Sequence, residues 1–166
     1  GELTFGDWFS LMPFADTVRL LQITGRDLAA LLNDNARRAD RPSQPHVERG
    51  FLQFSQQVRW IVELGASRGA AQATRVTLDG IPLGQQLERT LLMACTSFVR
   101  EGVASWEDYA ARKLNLPVID RIGSSPIDTD LFLRDLMLTH IREHGGVTEE
   151  AGARRDGRLR ISGQKA

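Results

Sequence analysis

The sequence predicts an α+β fold, a mixed β-sheet packed with helices. Three observations carry that reading. Apolar residues switch along the chain between helical spacing and strict alternation. Strands and helices follow one another without regular β–α alternation, which argues against a doubly wound parallel sheet. Asp79-Gly80, set between two short apolar runs, marks a hairpin, because both turn positions favour φ > 0.

The elements follow in order. Phe5, Trp8, Phe9, Leu11 and Met12 have helical spacing, and Pro13 ends that helix. Residues 17–23 alternate as a strand. Thr24 with Asp27 three residues on forms a capping box for a helix whose buried stripe is Leu28, Leu31 and Leu32 and which ends near Ala39. Residues 40–45, with two prolines, form a loop. Val58, Trp60, Val62 and Leu64 alternate as a long strand, and the small residues from Gly65 to Ala73 form a flexible connection. Val76–Leu78 and Ile81–Leu83 are the arms of the hairpin. The run from Leu91 to Phe98 is almost continuously apolar, as in a central strand buried on both faces. Residues 99–105 are expected as a loop and Trp106–Lys113 as a short helix. Ser125-Pro126 opens a last long helix, with Pro at its first position and Asp128 and Asp130 in its first turn, ending at Gly145-Gly146. Residues 158–161 form a final edge strand.

The chain has 166 residues, one domain's length, assigned here to 1–162 with a tail at 163–166. A chain of this size buries roughly 70% of its unfolded surface and needs no disulfide or structural metal. Hydrophobic residues at 42% and charged residues at 25% argue against disorder. Lys+Arg and Asp+Glu are 21 each. That balance removes the usual electrostatic reason to expect nucleic acid or an anionic membrane as partner. No apolar run approaches the ~20 residues of a membrane span. The single cysteine, Cys95, excludes an intrachain disulfide and a Cys-based zinc site. The opening Gly1-Glu2-Leu3 has neither Met nor an apolar signal core, so the chain reads as a piece of something longer or a mature product.

A search for chemistry finds no self-sufficient active site. His140-Ile141-Arg142-Glu143-His144 matches the H-x-x-E-H pattern of inverted zinc peptidases, and the two histidines share a helix face. The plainer reading is a histidine in the last helical turn, where positive charge favours the helix dipole. Ser97, Ser105 and Ser124-Ser125 have no G-x-S-x-G context and no visible His partner. Gly65-x-x-x-Gly69 lacks the Lys-Ser/Thr of a phosphate loop. The remaining lead is aromatic. Phe14 lies at a helix-to-strand junction and Phe98 at the end of the apolar strand, where flat side chains can stack a flat ligand or pack in the core.

Several segments, in order, resemble the 5′-nucleotidase C-terminal domain family. Leu3-Thr4-Phe5-Gly6-Asp7 through Leu11-Met12-Pro13-Phe14 is similar to that family's T-Y-G-D…L-P-F-G-N-T opening. Ile23-Thr24-Gly25-x-x-Leu28 is similar to its L-T-G-x-x-L helix start, and Gly50–Ser55 with Val58-Arg59-Trp60 to its G-x-F-L-Q-V-S-G-L-R-Y strand. Asp79-Gly80-Ile81-Pro82-Leu83 resembles its N-G-x-P-L hairpin, Leu91–Phe98 its T-V-A-T-N-D-F strand, and Asp156-Gly157-Arg158-Leu159 its closing E-G-R-I.

The resemblance implies a substrate-binding domain of a metal-dependent phosphoester hydrolase acting on nucleotides, usually outside the cytoplasm, in the periplasm or beyond the cell. It implies that a preceding metallophosphoesterase domain, upstream of Gly1, holds two divalent metal ions and performs hydrolysis, and that no cofactor sits in this chain. It also implies that the base is sandwiched by two aromatics, which fall on Phe14 and Phe98. Two positions depart from the pattern. Asp16 stands where the family has a base-contacting Asn, and an ionised carboxylate only accepts hydrogen bonds. Ala104 stands where the family has a ribose-contacting Asp, a role that Glu101, Glu107 or Asp108 would have to replace. Trp106 offers either a further flat surface near that loop or a core anchor. These departures leave two alternatives. One keeps the architecture but acts on a non-nucleotide or sulfur ester, as thiohydrolases do. The other is a ligand-binding module without catalysis.

Overall fold

A computed structural model describes residues 4–39, 51–67, 69–101, 122–149 and 155–163. The elements run α1 (Phe5–Leu11), β1 (Thr17–Thr24), α2 (Gly25–Ala39), β2 (Val58–Glu63), β3 (Gln72–Leu78), β4 (Ile81–Pro82), a 3-10 turn (Leu83–Gln85), β5 (Thr90–Thr96), α3 (Ser97–Glu101), β6 (Ile127–Phe132), α4 (Leu133–Glu143) and β7 (Leu159–Ser162). They form two sheets. The first is antiparallel in the order β5-β1-β6. The second has the order β4-β3-β2-β7, antiparallel except where β7 runs parallel to β2. The expected α+β class with mixed strand directions is what forms.

The core gathers around α2. Leu28, Leu31, Leu32 and Ala36 present one face of that helix to Leu21 and Ile23 of β1 and to Val58, Trp60 and Val62 of β2. The alternating buried positions of β2 are the ones that period 2 selects. The capping box at the start of α2 is complete. Asp27 accepts from the Thr24 backbone N–H at 2.8 Å and its hydroxyl at 2.8 Å, and Thr24 Oγ1 accepts from the Asp27 N–H at 3.1 Å. α2 also docks end-on. The Gly25 N–H donates to Arg89 O and the Arg26 N–H to Leu87 O. A Cβ on Gly25 would lie 2.1 Å from the Gln86 carbonyl oxygen, so this approach requires glycine. The hairpin turn forms as expected, with φ of 53° at Asp79 and 80° at Gly80.

Four expectations change. Among the described residues β5 is an edge strand and not a central one, with β1 at the centre of the sheet. Only one side of β5 packs inward, through Leu91, Met93 and Cys95, while Leu92 is 69% exposed. The last helix begins at Leu133, and Ile127–Phe132 is strand β6. The two aspartates placed in the first helical turn do other work. Asp128 pairs with Arg19 across the sheet and accepts the Asp130 N–H. β-Branched Ile127 and Thr129, with Thr129 Oγ1 donating to Val18 O, favour the extended form over a Pro-started helix. Residues 97–101 are helical and not a strand end plus loop. Thr96 explains this, since its Oγ1 accepts the Val99 N–H at 3.1 Å in the manner of a helix cap. Finally, β3 starts at Gln72, inside the segment read as a connection, where the Ala73 N–H donates to Asn33 Oδ1. The loop at 40–45, the helix at 106–113, Ala104, Trp106 and the tail after 163 lie outside the described residues.

Candidate functional site

The antiparallel pairing of β1 and β5 matches Val18 with Thr96. Consequently the chain entering β1 and the chain leaving β5 meet at one end of the sheet. Phe14 and Asp16 lie on the first, Ser97 and Phe98 on the second. Ser97 joins them. Its Oγ accepts the Thr17 N–H at 3.2 Å and donates to Asp16 Oδ1 at 3.4 Å. A third element arrives through the backbone, as the Leu133 N–H at the start of α4 donates to Asp16 O at 2.9 Å. Asp16 is thus half-buried at the junction of β1, α3 and α4.

The two flagged phenylalanines are not core residues. Phe14 is 69% exposed and Phe98 47% exposed. Both rings are open to solvent on the segments that the Asp16–Ser97 contact joins. The neighbouring helix α1 is held by its own contacts. Trp8 is buried and its Nε1 donates to Arg134 O at 3.4 Å, and the Arg134 guanidinium lies 5.0 Å from the Phe9 ring centre.

Beside this junction runs a groove of about 840 Å³. One wall is the irregular segment Phe51–Ser55, the other is β5, and the floor includes Leu28 and Leu31. At its far end the groove reaches Thr96 and Val99, the residues flanking Ser97-Phe98. The Phe51 wall is built by two features that the sequence reading missed. Buried Asn35 clamps Leu52, its Nδ2 donating to Leu52 O at 2.9 Å and its Oδ1 accepting the Leu52 N–H at 2.8 Å. Phe51 stacks parallel to Trp60 and Phe54 meets it edge-on, each at 6.0 Å between ring centres. The only local signal was Asn35 on the apolar face of α2, three residues beyond Leu32.

Cys95 sits on the groove. Burial raises its thiol above the ordinary range, while Arg100 and Arg19 pull the other way. Arg19 is itself held by Asp128 and by Thr17 Oγ1 at 2.7 Å. Ser97, considered as a nucleophile, is instead the bracket between two chain segments. Among the described residues, no group of three or more His, Cys, Asp or Glu side chains is placed to hold a metal ion. No helix among them is long and apolar enough to cross a membrane.

Residues 1–107 match the family model of the 5′-nucleotidase C-terminal domain. The chain belongs to that family. Among curated proteins no sequence relative matches. Solved structures share the fold. The 5′-nucleotidase precursor of Thermus thermophilus is 21% identical with a TM-score of 0.70, over 98% of this chain and 28% of that one. The NAD nucleotidase of Haemophilus influenzae is 14% identical with a TM-score of 0.62, over 97% of this chain and 27% of that one. A putative 5′-nucleotidase of Staphylococcus aureus, solved with alpha-ketoglutarate, is 13% identical with a TM-score of 0.59, over 96% of this chain and 30% of that one. The present chain therefore spans less than a third of each.

Proposed function

We propose that this chain is the substrate-binding domain of a 5′-nucleotidase-like phosphoester hydrolase, and that it holds the base of a nucleoside or nucleotide between Phe14 and Phe98. The observation that carries this reading is the Ser97 bracket, which ties Asp16 to the segment bearing Phe98 and leaves both phenylalanines exposed at one sheet end. Membership of the 5′-nucleotidase C-terminal domain family supports a nucleoside or nucleotide as the ligand. Stacking on an aromatic face contributes about 1–3 kcal/mol per base.

A division of labour belongs to the same reading. Hydrolysis by paired divalent metals needs clusters of His and carboxylate ligands, and the described residues offer none. Those metals belong, in this proposal, to a preceding metallophosphoesterase domain, and the work of this chain is recognition and positioning. Asp16, acceptor-only when ionised, adds negative charge beside the base and gives the phosphate no grip. Affinity of the domain alone is then weak, near millimolar, or about −4 kcal/mol. A residence outside the cytoplasm is part of the same proposal.

The test is equilibrium titration of AMP and adenosine into the 166-residue chain and into Phe14→Ala/Phe98→Ala. The proposal expects weak saturable binding that the double substitution abolishes. Micromolar binding indifferent to both substitutions would overturn it.

A further inference from the structure

The H-x-x-E-H segment takes no part in the site described above, yet its geometry is specific. His140 and His144 lie one turn apart at the end of α4, both exposed, with ring centres 4.1 Å apart and planes tilted by 37°. His144 Nδ1 lies 2.8 Å from the His140 carbonyl oxygen. A carbonyl oxygen only accepts, so in the neutral ring the proton sits on Nδ1 and the lone pair on Nε2. Donation from one ring nitrogen to a backbone carbonyl, freeing the other, is the arrangement that metal-ligating histidines adopt. The ring nitrogens of His140 have no hydrogen-bond partner among the described residues.

We propose that His140 and His144 form a two-nitrogen chelate for a divalent transition-metal ion of the Zn²⁺ class. Two imidazole nitrogens at the usual Zn–N length of about 2.0–2.1 Å stand roughly 3.3 Å apart around a tetrahedral ion. The rings, one turn apart with centres 4.1 Å apart, would turn so that one nitrogen of each faces a common ion. Among the described residues no third His, Cys, Asp or Glu joins the pair, and water can fill the remaining coordination positions. The setting suits a cation, because the last turn of a helix carries the negative end of the dipole. Of the neighbouring charges on α4, Glu143 lies beside the pair and favours the ion, while Arg142 opposes it from a position about 200° around the helix from His140. The site is far from the base-binding end. Asp16 holds the first residue of α4, and the helix rises about 16 Å from there to His144. Its ligand preference follows from imidazole chemistry, which takes Zn²⁺, Cu²⁺ or Ni²⁺ and leaves Mg²⁺ in water.

The experiment is calorimetric titration of ZnCl₂ into the full chain, with MgCl₂ as control, beside NMR of the imidazole nitrogens. The third histidine, His46, provides an internal control. The proposal expects saturable Zn²⁺ binding with one ion per chain and a shift of the His144 Nε2 resonance. His144→Ala and His140→Gln should each weaken binding at least tenfold, His46→Ala should leave it unchanged, and Mg²⁺ should not bind. Circular dichroism of each variant confirms the fold, and the exposed positions make unfolding an unexpected outcome. Absence of Zn²⁺ binding, binding indifferent to both substitutions, or loss of binding in His46→Ala overturns the proposal. None of these outcomes bears on nucleotide binding, which is read separately.

Discussion

Replacing Asn35 by Leu removes the clamp on the groove wall with a side chain of the same branched outline but larger volume. Asn35 is fully buried, and its side-chain amide makes both hydrogen bonds to the Leu52 backbone. In Asn35→Leu, the Leu52 N–H and C=O lose their partners together. Each buried backbone group left unsatisfied costs about 1–3 kcal/mol. Leu52 is half-buried, so water recovers part of that cost. The added apolar side chain returns some more. The net loss is then about 2–4 kcal/mol, and a chain of this length loses about 2–4 °C per kcal/mol. The melting temperature should fall by roughly 5–15 °C. Urea and thermal unfolding followed by circular dichroism measure it directly. Asn35→Asp sharpens the test, since a carboxylate still accepts the Leu52 N–H but sets an oxygen against the Leu52 C=O. That variant should lose stability too, although it remains polar and keeps one bond. A loss below about 0.5 kcal/mol in Asn35→Leu would refute the claim that this amide organises the wall.

Gly25→Ala should destabilise the fold by at least about 1–3 kcal/mol, the usual range for overpacking, because the new methyl meets the Gln86 carbonyl oxygen at 2.1 Å. Unchanged urea unfolding would show that this docking gives way freely. Asp156 is held down to about 2, first by the Arg158 side chain at 2.8 Å, with Arg59 assisting from 3.7 Å. Its carboxylate stabilises the β7 attachment at all pH values above the ordinary 3.8, and that contribution fades as pH falls from there through about 2. NMR titration of Asp156 should show the low value, and Arg158→Ala should raise it, whereas a midpoint near 3.8 in the unaltered chain would contradict the assignment.

What was legible in the sequence was local. The Asp79-Gly80 turn, the Thr24–Asp27 box and the Leu28/Leu31/Leu32 stripe depend on residues a few positions apart, and each formed as read. What failed was set by distant partners. The apolar run of β5 looks doubly buried, but burial of its second face depends on what packs against that face, and Leu92 there is 69% exposed. Ser125-Pro126 followed by two aspartates satisfies the rules for a helix start. Pairing with β1, through Arg19–Asp128 and Thr129–Val18, outweighs them. The candidate site shows the same split. Phe14 and Phe98 stood out one at a time as aromatics at element ends. That their segments meet at one sheet end rests on an Asp16–Ser97 contact between residues 81 apart, which no local pattern announces. The helical placement of Phe98 depends in turn on the Thr96 hydroxyl, three residues before the N–H it caps.

The most direct test of the central claim is a map of which backbone amides move when AMP is titrated into the isotopically labelled chain. The account predicts saturable shifts concentrated at Phe14, Asp16, Thr17, Ser97 and Phe98, where β1 begins and β5 ends. Shifts gathered instead along the Phe51–Ser55 wall and Leu92, or no shifts at millimolar AMP, would contradict it.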